Sequence, residues 1–138
     1  MSQLGSRGDS NGKFKYPRSM AWDEQGNVVV ADEDNHRLQV VRLSDGACLR
    51  TIGCYGSGAG QFNHPVGIAF DRAGNIVVLE YRNHRVQVLR YSDGSHVRTI
   101  GSQGSANGQF EYPYGVLIDG QGRIIVSDCA NHRIQVLQ

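Results

Sequence analysis

Asn75-Ile76-Val77-Val78-Leu79-Glu80-Tyr81-Arg82-Asn83-His84-Arg85-Val86-Gln87-Val88-Leu89 reads as two strands joined by a tight turn. The first run is rich in β-branched residues and stops at Arg82-Asn83-His84. From Val86 onward a Gln alternates with apolar residues, the period-2 pattern of a half-buried strand. Upstream, Pro65 and Gly67 introduce Ile68-Ala69-Phe70, which closes at Asp71-Arg72-Ala73-Gly74. That stretch is a turn, because Asp bonds its own backbone and Gly takes positive φ. Downstream, Ser92-Asp93-Gly94 is a hairpin turn and His96–Ile100 alternates again. The unit from Gly53 to Ile100 is therefore four short antiparallel strands, a to d. No stretch carries the i, i+3, i+4 spacing of a helix, so the chain is all-β.

The unit recurs. Asn83-His84-Arg85 is matched by Asn35-His36-Arg37 and Asn131-His132-Arg133, each 48 residues away. The same offset recovers Phe14, Phe62 and Phe110, then Pro17, Pro65 and Pro113, Gly26, Gly74 and Gly122, and Asp23, Asp71 and Asp119. A fixed period of this length marks a repeat architecture whose units bury their faces on one another. Ile76 and Val78 point to one face of strand b, Val77 and Leu79 to the other. Each sheet is thus apolar on both sides and needs a neighbour on both. Four-stranded blades set radially about a channel meet that need and leave only short edges exposed. A β-propeller is expected, with repeat units at about residues 5–52, 53–100 and 101–138 of a single domain, 1–138. An additional N-terminal strand, 1–4, aligns with strand d.

At these residues the sequence resembles the NHL-repeat family of β-propellers. The third repeat carries the likeness in Gly108-Gln109-Phe110, Tyr112-Pro113-Tyr114-Gly115-Val116, Asp119, Gly122, Ile124–Asp128 and Asn131–Val136. The departures are small: Lys13 replaces Gln61 and Gln109, Glu80 replaces Asp32 and Asp128, and Ser19 replaces Gly67 and Gly115. The resemblance implies a six-bladed propeller. It also implies a domain of the kind found in tripartite-motif ubiquitin ligases, where it binds RNA or protein. Bacterial extracellular sensors and an amidating lyase share the repeat.

Six blades at this period need about 290 residues, roughly twice the chain. Ser2-Gln3-Leu4-Gly5 aligns with Arg50–Gly53 and Arg98–Gly101, so it is expected to form a strand d. The last repeat closes at the end of a strand c. A head-to-tail homodimer, each N-terminal strand completing the other copy's last blade, is the expected way to close the ring. The other reading is an excised half of a longer propeller.

A net charge of +1 over 138 residues excludes a strongly basic nucleic-acid binder by overall charge, though not a local patch. There is no apolar run long enough to span a membrane and no charged-then-apolar leader, so no membrane partner is expected. Cys48, Cys54 and Cys129 fall outside the repeat pattern, and an odd, unpatterned set argues for free thiols and a cytoplasmic location. No zinc-type spacing occurs, and no metal or cofactor is expected.

The nine residues of the Asn-His-Arg turns recur once per blade, whereas a catalytic site needs different groups converging on one point. They read as structural, with Arg37, Arg85 and Arg133 paired to Asp32, Glu80 and Asp128. Function is sought where the repeats differ on the face that carries the b–c turns and d–a loops. Tyr16, Arg18, Tyr81, Arg82, Tyr112 and Tyr114 combine aromatic and cationic groups there, suited to unpaired bases or a protein partner. The leading expectation is a non-catalytic recognition or scaffold module for protein or RNA. One alternative is an RNA-binding domain of a tripartite-motif-like ligase or translational regulator. Another is an excised or engineered half-propeller with no role beyond assembly. A metal-dependent lyase or hydrolase finds no support in the innermost strands, Met20-Ala21-Trp22, Ile68-Ala69-Phe70 and Val116-Leu117-Ile118, which lack His or acid.

Overall fold

The computed structural model describes residues 1–138 and is built of eleven strands. The first repeat supplies β1 (Pro17–Trp22), β2 (Asn27–Asp32), β3 (Arg37–Arg42) and β4 (Cys48–Ile52). The second supplies β5 (Pro65–Phe70), β6 (Asn75–Glu80), β7 (Arg85–Arg90) and β8 (His96–Ile100). The third supplies β9 (Gly115–Ile118), β10 (Ile124–Asp128) and β11 (Arg133–Leu137). Each repeat folds as one antiparallel meander, in the orders β1-β2-β3-β4, β5-β6-β7-β8 and β9-β10-β11. The helical content is two three-residue 3-10 turns, Glu33–Asn35 and Cys129–Asn131, both between the second and third strands of a sheet. No helix is long and apolar enough to cross a membrane.

Asp71 shows why the first turn of each blade forms where it does. Its Oδ1 accepts the backbone N–H groups of Ala73 and Asn75 at 2.8 and 2.9 Å, closing the link from β5 to β6. Asp23 and Asp119 do the same in their own repeats. The β6 and β7 side chains then alternate between two cores. Ile76, Val78 and Leu89 face the first sheet, together with Phe62 and Ile68, and meet Val29, Leu38, Val40 and Ile52. Val77, Leu79, Val86 and Val88 face the third sheet and meet Phe110, Ile124, Val126 and Leu137. The middle sheet is therefore greasy on both sides and sheltered on both. β1, β5 and β9 stand as neighbours, so the sheets fan out from their first strands as propeller blades do.

Gln87 departs from the half-buried pattern expected of its strand. It is fully buried, because its amide closes the loop that enters its own sheet. Ser2–Gly5, expected as a strand, pairs with nothing in the single chain. An isolated edge has no ladder to join, and the third sheet accordingly has three strands rather than four.

Candidate functional site

A buried carboxylate anchors one end of every blade. Glu80, wholly inaccessible, accepts from Asn63 N (3.1 Å), Asn83 Nδ2 (2.7 Å), Arg85 Nε (2.6 Å) and Gln87 Nε2 (2.9 Å). The same donors reach on to the loop between sheets. Asn83 Nδ2 donates to Gly56 O, Arg85 to the carbonyls of Ser57, Gly58 and Gln61, and Gln87 Nε2 to Gln61 O. Asp32 and Asp128 repeat the arrangement with Arg37 at 2.9 Å and Arg133 at 2.8 Å. A buried charge is tolerated only when hydrogen bonds replace its water, and here no buried polar side-chain atom lacks a partner. Asp128 is held below the usual carboxylate range; burial, the largest influence, opposes this, and the hydrogen bonds from Glu111 N, Asn131, Arg133 and Gln135 outweigh it. These loops therefore sit on a stiff base.

The histidine of each turn has a separate task. His36, His84 and His132 take left-handed conformations, with φ of 52°, 50° and 55°. His36 Nδ1 accepts the backbone N–H of His64 at 3.1 Å, and His84 Nδ1 accepts that of Tyr112 at 2.9 Å. Each bond joins one blade to the next, 28 residues onward. Sequence reasoning saw the repeated histidine and missed this link. The available signal was a second constant spacing, from each histidine to the residue before the next repeat's proline.

On top of this base the expected recognition residues divide. Tyr81, Tyr112 and Tyr114 come together: ring centroids are 4.8 Å apart for Tyr81–Tyr112 and 6.0 Å for Tyr81–Tyr114, the latter edge-on. His84 lies 4.6 Å from Tyr112 and backs the cluster. Tyr114 is exposed, while Tyr81 and Tyr112 are half-buried. Arg82 is exposed beside Tyr81 on the same turn. Arg18 is bound to Glu33 at 2.5 Å. Its pKa is raised by that hydrogen bond, then by the Glu33 charge, then by Tyr114, which lies within electrostatic reach. Tyr16 stands apart, exposed at the open side of the first sheet.

The positions that hold Tyr81, Tyr112 and Tyr114 at the second junction hold Glu33, His64 and Val66 at the first. One junction is thus aromatic and the other charged. Glu33, Asp34 and His64 bring three metal-ligating groups within 4.8 Å of one another. Arg18 Nε donates to Glu33 Oε2, so a cation there would compete with it. Arg18 and Glu33 form an ion pair, and His64 Nε2 lies 3.5 Å from Asp34 Oδ1.

Sheets of this order, fanned from their first strands and clasped at one end by buried acids, define a β-propeller-type repeat module. Three stretches, residues 14–41, 62–89 and 110–137, match the NHL repeat. The chain belongs to the NHL-repeat family. It is 46% identical over 39 residues to the E3 ubiquitin-protein ligase TRIM71 of Bos taurus, a match covering 28% of this chain and 4% of the ligase. Among solved structures, the WD40 β-propeller domain of Doa1 superposes with a TM-score of 0.66 at 19% identity, over 85% of this chain and 34% of that one. Glutaminyl cyclase from Myxococcus xanthus gives 0.60 at 15% identity, over 93% and 59%. The chain spans a small part of the ligase and between a third and three-fifths of these structures. At such identities the structural likeness concerns the fold alone.

Proposed function

We propose that this chain is a non-catalytic recognition module that takes a protein partner on the face carrying Tyr81, Tyr112 and Tyr114, with Arg82 and Arg18 at its margin. The carrying observation is the three-tyrosine cluster at the junction of the second and third sheets. Its outermost ring is exposed and its base is fixed by His84. Rigid aromatic groups on a stiff base supply contact area at low entropic cost, and such residues dominate protein interfaces. Protein is favoured over RNA because Arg18 is neutralised by Glu33, and Asp34 and Glu111 lie on the same loops. Phosphate contacts require uncompensated cations. The family's ligase relative fits a module that selects partners for a larger protein. We also read the module as half of a six-bladed ring completed by a second copy.

The test is selection of a random peptide library on the purified chain, followed by binding of the enriched peptides to a Tyr81→Ala/Tyr114→Ala variant. Affinity falling by more than tenfold is expected. Enriched peptides that bind the variant as tightly would overturn the reading. A mixed-sequence single-stranded RNA serves as the comparison probe. If it binds at low salt, loses affinity steeply as salt rises and requires Arg82, the face is an RNA surface instead.

A further inference from the structure

We propose that the two open blade faces of this chain bind each other across two copies, in the register that joins its own blades, with His132 and Leu4 as the locking residues. This rests on the reading that a second copy completes the ring, and it adds the interface itself.

The 48-residue period maps each open face onto a buried one. At the first junction Leu38 and Val40 of β3 pack into the second sheet, 0% and 2% exposed. Their images two repeats later, Ile134 and Val136 of β11, are 71% and 51% exposed. On the receiving side, Ile68 is buried against the first sheet, whereas its image Met20 is 69% exposed. Phe62 and Phe110 are wholly buried and their image Phe14 is not. The third sheet therefore presents the face that the first and second use to cover a successor. The first sheet presents the face that the second and third use to receive a predecessor.

The N-terminal segment is already docked for such a closure. Leu4 lies on the first sheet where Ile52 lies on the second: a Cβ at Gly46 would meet Leu4 Cδ2 at 2.8 Å, and one at Gly94 would meet Ile52 Cγ2 at 3.4 Å. Gly5 and Gly53 then turn alike, with φ of 83° and 84°. Residues 1–4 thus occupy the position of the outermost strand of a preceding sheet. That is the strand absent beside β11, whose free edge offers unpaired backbone groups.

The histidine link supplies a third, independent match. His132 has the backbone conformation of His36 and His84, but it is exposed where His84 is buried. The backbone N–H it would receive belongs to the position of His64 and Tyr112, which in the first repeat is Tyr16. Tyr16 shares their turn, φ 54° against 55° and 47°, and its N–H makes no hydrogen bond within the chain. His132 of one copy accepting from Tyr16 of the other repeats the bond made twice inside each. The contact is heterologous, and two copies close it with a twofold axis along the channel. Both tyrosine clusters then face the same side.

Sedimentation equilibrium of the chain across about 1–50 μM should report twice its 15.2 kDa mass. Ile134→Glu and Met20→Glu alter opposite faces at positions exposed in the single chain, so each variant keeps its circular dichroism spectrum. Each should weaken the dimer on the order of 100-fold or more, because each seats a charge in an apolar contact. An equimolar mixture of the two should regain a dimer joined through its one intact interface. His132→Ala should weaken assembly by roughly 30-fold, the combined effect of one hydrogen bond lost at each of the two interfaces. A wild-type monomer would overturn the second-copy reading and assign the faces to other blades. A wild-type dimer that survives Ile134→Glu would overturn the interface while leaving the dimer standing. Dimerisation indifferent to His132→Ala would remove the histidine lock.

Discussion

Glu80→Ala tests the clasp at the end of each blade. The substitution removes a fully buried carboxylate that accepts hydrogen bonds from four residues, Asn63 (backbone N), Asn83, Arg85 and Gln87. Arg85 keeps three loop carbonyls, so its charge is not stranded, but the other donors lose an ionised acceptor. Orphaning the Asn63 N–H costs about 1–3 kcal/mol and losing the Asn83 and Gln87 bonds about 0.5–1.5 kcal/mol each, on the order of 4 kcal/mol in all. With a urea dependence of about 2 kcal/mol per M, the unfolding midpoint should fall by about 2 M. Glu80→Asp, the residue found at positions 32 and 128, keeps the charge and removes one methylene, which costs about 1 kcal/mol. Denaturation followed by circular dichroism gives the energies. Amide exchange at Asn63 gives the location, since its N–H is held by Glu80 and should lose protection in Glu80→Ala. A Glu80→Ala midpoint within 0.5 M of wild type, a tolerance of about 1 kcal/mol, would refute the reasoning. So would a larger loss for Glu80→Asp than for Glu80→Ala.

Gly53→Ala should destabilise strongly, because φ is 84° and a Cβ would overlap the Phe62 ring; a thermal midpoint lowered by several degrees checks it. His36 is held below its ordinary pKa of 6.5 by burial first and by His64 second. The unfolded chain therefore takes up the proton first. The stability His36 contributes is present above pH 6.5 and drains away as pH falls through the lowered folded value. His36→Asn suits the left-handed turn and should flatten that part of a melting-temperature profile between pH 7.5 and 5. Tyr91 is pushed up to about 12, by burial and then by its hydrogen bond to Asp23, which ties the second sheet to the first. Its contribution is intact below pH 10 and lost as pH rises towards 12, and ultraviolet titration should show one late tyrosine absent from Tyr91→Phe.

Much of the fold is legible in the residues. β6 and β7 follow from β-branched runs separated by Asn83 and its neighbours, and the Asp71 turn follows from Asp and Gly spacing. Arg85 on Glu80 follows from charge and proximity along the chain. Gln87 was misleading, because alternation alone cannot tell a solvent-facing amide from one sealed over a loop. The histidine links were hidden because their partner is a backbone group, which carries no residue identity. For the six recognition residues, their face could be argued from the repeat register. That Tyr81, Tyr112 and Tyr114 touch while Tyr16 stands apart could not.

The sequence by itself determined the number of units, their strands and the face on which the repeats diverge, since these are local in the chain and copied at a constant offset. Only the tertiary structure decided which diverging side chains share a junction, which histidine meets which amide, and which apolar faces lie uncovered. Those depend on how one sheet is set against the next, and that packing draws together residues from different repeats.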